Sequence, residues 1–329
     1  MIIQLGLIIT QRCNIACRHC LFSAESGNND AKDMSLTDIY QYIDQTAKIA
    51  RRTNDHFAVA FTGGEPFLRS QDLLASIAHA KKMAAQQITT VTNGFWGSDQ
   101  ARATQMVAAL KEAGLSNLAL SIDDFHQASI PLDALLKIIT ACKASDLAFT
   151  IKTAVTKKSR RLPDILRDLG DLLLDQKVTI EEIACVPEGR ARLMIPRAEL
   201  LYQDGIPIEA CPMGMMLVIL PNGDTFPCCG TGWNPRLFLG NTRETALACL
   251  YARMKDQPLL MLLREKGPHC LVSYLEAGGY PLEQQQYISN CELCQQVLTH
   301  PGLEPVLPTA LDDWRVERVR QLFNFCLND

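Results

Sequence analysis

The chain has 329 residues, 47% hydrophobic and 21% charged, enough to bury one large core or a main domain with a smaller appendage. Its net charge of -4 and the lack of a lysine- or arginine-rich block exclude a nucleic-acid surface, which needs concentrated positive charge to displace counterions from phosphate. The opening MIIQLGLIIT has no basic leader and is too short to cross a bilayer, so no membrane partner is expected, and thirteen cysteines without an export signal read as metal ligands or reactive thiols of a cytoplasmic protein.

In chain order, strand-like apolar runs lie at Ile2–Ile9, Phe57–Phe61, Ile88–Thr92, Asn117–Ser121, Ala148–Val155 and Val178–Ala184. Helical patterns separate them at Leu36–Arg51, Gln71–Ala85, Asp99–Ala113, Leu132–Ala144 and Pro163–Leu174. Strands joined by helical crossovers predict right-handed βα units and an α/β fold, a partial (β/α)6 TIM-like barrel with its chemistry at the C-terminal strand ends.

The conspicuous motifs fall at those ends. Cys13, Cys17 and Cys20, spaced C-x3-C-x2-C, follow the first strand. Such spacing gathers three thiolates onto one inorganic cluster and leaves a fourth iron without a protein ligand, where a substrate can bind. Zinc is the weaker reading, because zinc sites built from C-x2-C pairs usually supply four ligands and no fourth cysteine is near. After the second strand, Thr62-Gly63-Gly64-Glu65-Pro66 combines two positions that let backbone approach a ligand with a carboxylate suited to an ammonium. Asn93, Ser121 and Asp123, at the third and fourth strand ends, offer polar groups to a ribose or carboxylate, although Asn-Gly is also a common turn and Asp a common helix cap. His126 reads as a ligand contact or a satisfied surface histidine, Lys152 as a carboxylate partner or a solvent-facing lysine, and Trp96 as pocket lining or core. His19 is expected beside the cluster.

Towards the C-terminus, Leu217–Leu220 and Asp224–Phe226 flank the turn Pro221-Asn222-Gly223, predicting a β-hairpin that brings Cys211 and Cys228 together. Cys291 and Cys294 complete a four-thiolate set for a second, auxiliary [4Fe-4S] cluster, with zinc on the same ligands as the alternative. The expected division is a barrel over 1–185, an irregular linker over 186–210, and a smaller cluster-binding extension over 211–329. On extended backbone Cys229 is expected to face away from its neighbour and stay free if Cys228 binds a cluster, or else to be simply a buried thiol. The isolated Cys142, Cys185, Cys249, Cys270 and Cys326 are expected to be small buried apolar residues.

Taken together, these motifs resemble the radical S-adenosylmethionine (SAM) superfamily, and more closely the peptidyl epimerases that make epipeptides. The resemblance is carried by Cys13–Cys20, Phe61–Glu65, Thr92-Asn93-Gly94-Phe95-Trp96-Gly97, Asp123-Asp124-Phe125-His126, Ala154–Lys157, Cys211 through Cys228-Cys229, and Cys291-Glu292-Leu293-Cys294. It implies a SAM-binding [4Fe-4S] cluster, a SPASM/twitch-like extension, and SAM contacts from Thr62, Gly63, Gly64, Glu65, Asn93, Ser121 and Asp123. In the implied reaction a SAM-derived radical removes the Cα hydrogen of an L-residue in a ribosomally made precursor peptide. Cys229 then returns hydrogen from the opposite face to leave a D-residue. The implied partners are that peptide and an electron donor such as flavodoxin or ferredoxin. The alternatives are another radical peptide modification, such as thioether or carbon–carbon crosslinking, or a non-catalytic iron–sulfur carrier or peptide-binding protein. Peptide recognition is expected from the barrel rim, the C-terminal extension or another protein.

Overall fold

The computed structural model describes residues 2–24, 32–173, 178–211, 216–228 and 233–326, with side chains to 321. The opening apolar run is β1, Ile2–Thr10, buried almost throughout because it is covered on both faces. Helix α1, Leu36–Thr53, starts where the Ser35 hydroxyl accepts the Asp38 N–H and buries Ile39, Ile43, Ala47 and Ala50 at helical spacing. It returns the chain to β2, His56–Gly63, whose alternate residues Phe57, Val59 and Phe61 are buried. Four similar crossovers follow. Helix α2 (Ser70–Lys82) leads to β3 (Gln87–Thr92), and α3 (Gln100–Ala113) leads to β4 (Asn117–Ser121). Then short α4 (Asp124–Gln127) and α5 (Leu132–Ala144) lead to β5 (Phe149–Val155), and α6 (Leu162–Leu169) leads to β6 (Thr179–Ala184).

Strands β1 to β6 lie side by side in chain order and all parallel, the sheet predicted from the sequence. Among the described residues, β6 pairs only with β5, so the barrel is open. The other edge is extended by the later part of the chain. After short α7 (Ala191–Met194) and β7 (Gln203–Asp204), strand β8 (Met216–Ile219) joins β1 in parallel, from Gln4 opposite Met216 to Leu7 opposite Ile219. Antiparallel β9 (Asp224–Phe226) and β10 (Gly240–Asn241) complete the nine strands. The predicted hairpin therefore exists, and it continues the barrel's own sheet.

Helices α8 (Leu247–Asp256), α9 (Pro258–Lys266) and α10 (Val272–Ala277) follow. Strand β11 (Gln286–Tyr287) pairs with β7, and α11 (Asn290–Thr299) and α12 (Leu303–Cys326) end the described chain. One continuous hydrophobic cluster runs from β1 to Trp314 of α12, and each fully buried leucine, isoleucine or phenylalanine in it contributes about 1.5–3 kcal/mol. Two details correct the expectations. The helix expected at Pro163–Leu174 stops at Leu169, where Gly170 takes φ +52° and a 3-10 turn runs to Leu173; Leu174 lies outside the described residues. Of the isolated cysteines, Cys142 and Cys185 are buried, but Cys270 is half-buried and Cys249 exposed.

Candidate active site

The cysteine loop leaves the C-terminal end of β1 and is stitched at once to the end of β2. Gly64 N donates to Thr10 O at 2.9 Å and Glu65 N to Arg12 O at 2.9 Å. The approach is closer than any side chain permits: a Cβ on Gly63 would stand 2.1 Å from Thr10 O, and one on Gly64 2.1 Å from Arg12 O. The paired glycines thus fix where the loop begins. Cys17 is buried, and Cys13 and Cys20 are half-buried. Burial pushes the Cys17 thiol up to about 12 and raises Cys13, and each is raised further by the charge of its fellow cysteines. The three sulfurs thus share one electrostatic neighbourhood, where a bound cation would replace the proton on each thiol.

Polar residues expected at the strand ends are present, several of them turned inward. Glu65 is 1% exposed and accepts from Phe67 N (3.1 Å), Thr92 Oγ1 (2.9 Å) and Asn93 N (2.7 Å). Burial outweighs these three donors and pushes its carboxyl up to about 7. At the β2 end it is the backbone of Gly63 and Gly64, not this carboxylate, that lines the adjoining cavity. Asn93 Nδ2 donates to Asn14 Oδ1 at 2.8 Å and lies 4.0 Å from Cys13 Sγ, bracing the turn that carries the first cysteine. Thr62 is half-buried in register with Ile8, and Ser121 is buried opposite Lys152.

Asp123, 2% exposed, accepts from the backbone of Phe125 (3.0 Å), His126 (2.9 Å) and Ala154 (3.3 Å) and pairs with the His126 ring at 2.8 Å. Burial opposes its charge, but the His126 ring and these donors win and hold it below the usual carboxylate range. His126 meets His19 edge-on at 4.8 Å between ring centres, and His19 stacks on Phe125 at 4.7 Å. Cys17 Sγ and ring nitrogens of both histidines lie within 4.8 Å of one another, so His19 sits beside the cysteines as expected. Burial drives the His19 ring down to about 4, which leaves it neutral. Trp96 is core, 1% exposed, stacked on Phe67 and bonded to Thr92 Oγ1 at 3.1 Å. Lys152 pairs with Glu181 at 2.9 Å.

No motif announces what closes the loop from the other side. The chain after β6 crosses it: Arg190 N donates to Cys20 O at 3.0 Å, and its guanidinium reaches Cys17 O at 2.9 Å. The only local signal is a Gly-Arg pair after a strand, too common to be diagnostic. Between this segment, the cysteine loop and the β8–β9 hairpin lies a cavity of about 560 Å³, lined by Thr10, Phe22, Gly64, Leu193, Leu220 and Trp233 among others.

A second group of thiols meets around α11. Cys294 is raised well above its ordinary value, first by burial and then by the charges of Cys228, Cys211 and Cys291, so all four expected residues converge. Cys211 is tied to α9 through its N–H to Leu263 O at 3.1 Å. Cys229 lies outside the described residues.

Three thiols on the loop after the first strand of an open parallel sheet, with a cavity beside them, are a donor set suited to an iron–sulfur cluster at a barrel mouth. The donors fit that group: all are thiols with no carboxylate among them, and the His19 Nδ1 on the same loop is buried without a hydrogen-bond partner among the described residues. The family model described as the radical SAM superfamily matches residues 7–172, half of the chain, and the chain belongs to that superfamily. Membership implies a [4Fe-4S] cluster and SAM. The chain is 24% identical over 293 residues to the putative peptide biosynthesis protein YydG of Bacillus subtilis (strain 168), covering 87% of this chain and 89% of that one. It is 33% identical over 132 residues to a GTP 3',8-cyclase of Vibrio parahaemolyticus, covering 37% and 36% respectively, so it spans about a third of that protein's length. The solved structure of native anSMEcpe with bound AdoMet shares the fold at a TM-score of 0.58 and 15% identity, covering 94% of this chain and 99% of that one. No helix among the described residues is long and apolar enough to cross a membrane.

Proposed function

We propose that the protein is a radical SAM peptide epimerase that converts L-residues to D-residues in a ribosomally made precursor peptide. The observation that carries this reading is the likeness to a peptide biosynthesis protein along 87% of the chain, well beyond the 37% shared with the cyclase. In this reading Cys13, Cys17 and Cys20 hold the SAM-binding [4Fe-4S] cluster, and Cys211, Cys228, Cys291 and Cys294 hold an auxiliary one within a SPASM/twitch-like extension. When bound, the first cluster and SAM supply a hydrogen-abstracting radical.

The chain's own residues position and exclude. Gly63 and Gly64 present backbone to SAM, while Thr62, Glu65, Asn93, Ser121 and Asp123 form or brace the wall around it. The cavity beside Phe22, Leu193 and Trp233 receives the peptide and keeps water from the carbon radical. Cys229 donates the replacing hydrogen: its S–H bond breaks, a Cα–H bond forms on the face opposite the abstraction, and the thiyl is restored by one electron and one proton. A donor such as flavodoxin or ferredoxin supplies that electron, in keeping with a cytoplasmic location.

Incubation of enzyme, SAM, reductant and a candidate precursor peptide in heavy water tests this directly. Epimerisation leaves one solvent deuterium at each inverted Cα without any other change in peptide mass. Loss of two hydrogens would instead show a crosslinking enzyme, and no SAM cleavage would leave only an iron–sulfur carrier or peptide binder. A Cys229→Ala variant should still form 5′-deoxyadenosine and yield no D-residues; unimpaired epimerisation would remove Cys229 from the reaction.

A further inference from the structure

The segment after β6 holds the cysteine loop chiefly through one residue. Arg190 Nη1 donates to Cys17 O at 2.9 Å, while Nη2 donates to Ser23 O at 2.9 Å and Ala24 O at 2.8 Å. With its backbone N–H on Cys20 O at 3.0 Å, one residue secures four carbonyls from the middle of the loop to its end. The neighbours reinforce it. Gly189, at φ +53°, lies where a Cβ would come within 2.2 Å of Leu21 O and 2.7 Å of Cys20 O, so only glycine lets the strands of chain meet. In return Arg18, inside the loop, donates to Met194 O at 2.7 Å. The planar fork of a guanidinium suits this task, because it offers fixed donors in several directions from one charge, whereas an ammonium is a point.

We propose that Arg190 is a positioning residue for the N-terminal cluster, fixing the loop that presents Cys17 and Cys20 and placing a permanent positive charge beside the metal centre. Reduction adds an electron to a centre already ringed by thiolates, and a nearby fixed cation stabilises that more negative state. The inference rests on membership of the superfamily and not on the epimerase reading.

The test uses full-length protein reconstituted anaerobically, with Arg190→Gln, Arg190→Lys, Gly189→Ala and, as a control on the same side of the chain, Arg197→Gln. Iron per chain is measured, and the midpoint potential is followed on the electron paramagnetic resonance signal that changes when SAM is added. Arg190→Gln should reduce N-terminal iron at least twofold and move the remaining signal to a more negative potential. Arg190→Lys keeps the charge with fewer anchors, so it should lose iron to a smaller extent at the wild-type potential. Gly189→Ala should lose iron with Arg190 intact, and Arg197→Gln should change neither. Full iron uptake and an unchanged potential in Arg190→Gln would overturn the proposal. Where that variant takes up too little iron to titrate, a Lys variant displaced from the wild-type potential would overturn the charge, and circular dichroism of each apo-protein separates loop loss from unfolding.

Discussion

Gly64→Ala probes the junction on which the cysteine loop depends. The added Cβ would lie 2.1 Å from Arg12 O, 2.5 Å from Arg12 C and 3.1 Å from Cys13 N, all backbone atoms that cannot swing aside. An ordinary carbon–oxygen contact is about 3.3 Å or more, so the two segments must part by roughly 1 Å. Parting them breaks the Gly64 N to Thr10 O and Glu65 N to Arg12 O bonds. Two bonds at about 1 kcal/mol each and about 1–3 kcal/mol of overpacking sum to about 3–5 kcal/mol. A domain stable by roughly 5–15 kcal/mol survives this, but its loop does not stay in register. Urea denaturation of the apo-protein, iron per chain after reconstitution and 5′-deoxyadenosine formation are measured together. Gly170→Ala serves as comparison: its Cβ meets nothing within 4 Å, so its cost is the backbone strain of φ +52° and ψ -138°, about 1–3 kcal/mol, and it should leave the iron intact. A Gly64→Ala protein with wild-type stability and full iron would refute the reasoning.

Replacing Cys13, Cys17 and Cys20 together by alanine should remove about four irons per chain and all SAM cleavage, as read by iron assay and chromatography. Replacing Cys294 should release the iron of the second group alone and leave the SAM-responsive signal in place. Glu65 makes stability depend on pH. Its folded carboxyl is raised to about 7 from an ordinary 4.5, so its contribution is full below about 4.5 and is lost as pH rises through about 7. Between pH 5 and pH 8 the apo-protein should therefore lose about 2–3 kcal/mol relative to Glu65→Gln, which does not titrate; parallel urea curves for the two proteins would contradict this.

The cysteine loop and the six parallel strands were legible because their signals are local. C-x3-C-x2-C places three thiols on one turn whatever surrounds it, and apolar runs separated by capped helices specify βα units. Where β8 would sit was not legible, since its place beside β1 is decided by packing between residues more than two hundred positions apart. Glu65 and Asp123 read from the sequence as candidate site residues, but their inward turn depends on N–H groups from the next strand ends, which no spacing rule supplies. Arg190 was invisible for a similar reason: its meaning lies in carbonyls of a loop some 170 residues earlier in the chain. The convergence of Cys211, Cys228, Cys291 and Cys294 sits between these cases, read from a hairpin and a C-x2-C pair that the fold brings to one helix.

Everything proposed for this protein depends on Cys13, Cys17 and Cys20 holding a cluster with one iron left to SAM. Electron paramagnetic resonance of the anaerobically reconstituted, reduced protein, recorded with and without SAM, addresses it directly. A spectrum altered by SAM and accompanied by 5′-deoxyadenosine is expected, both lost when the three cysteines are replaced. Zinc in place of iron, or a spectrum indifferent to SAM with no 5′-deoxyadenosine formed, would contradict it.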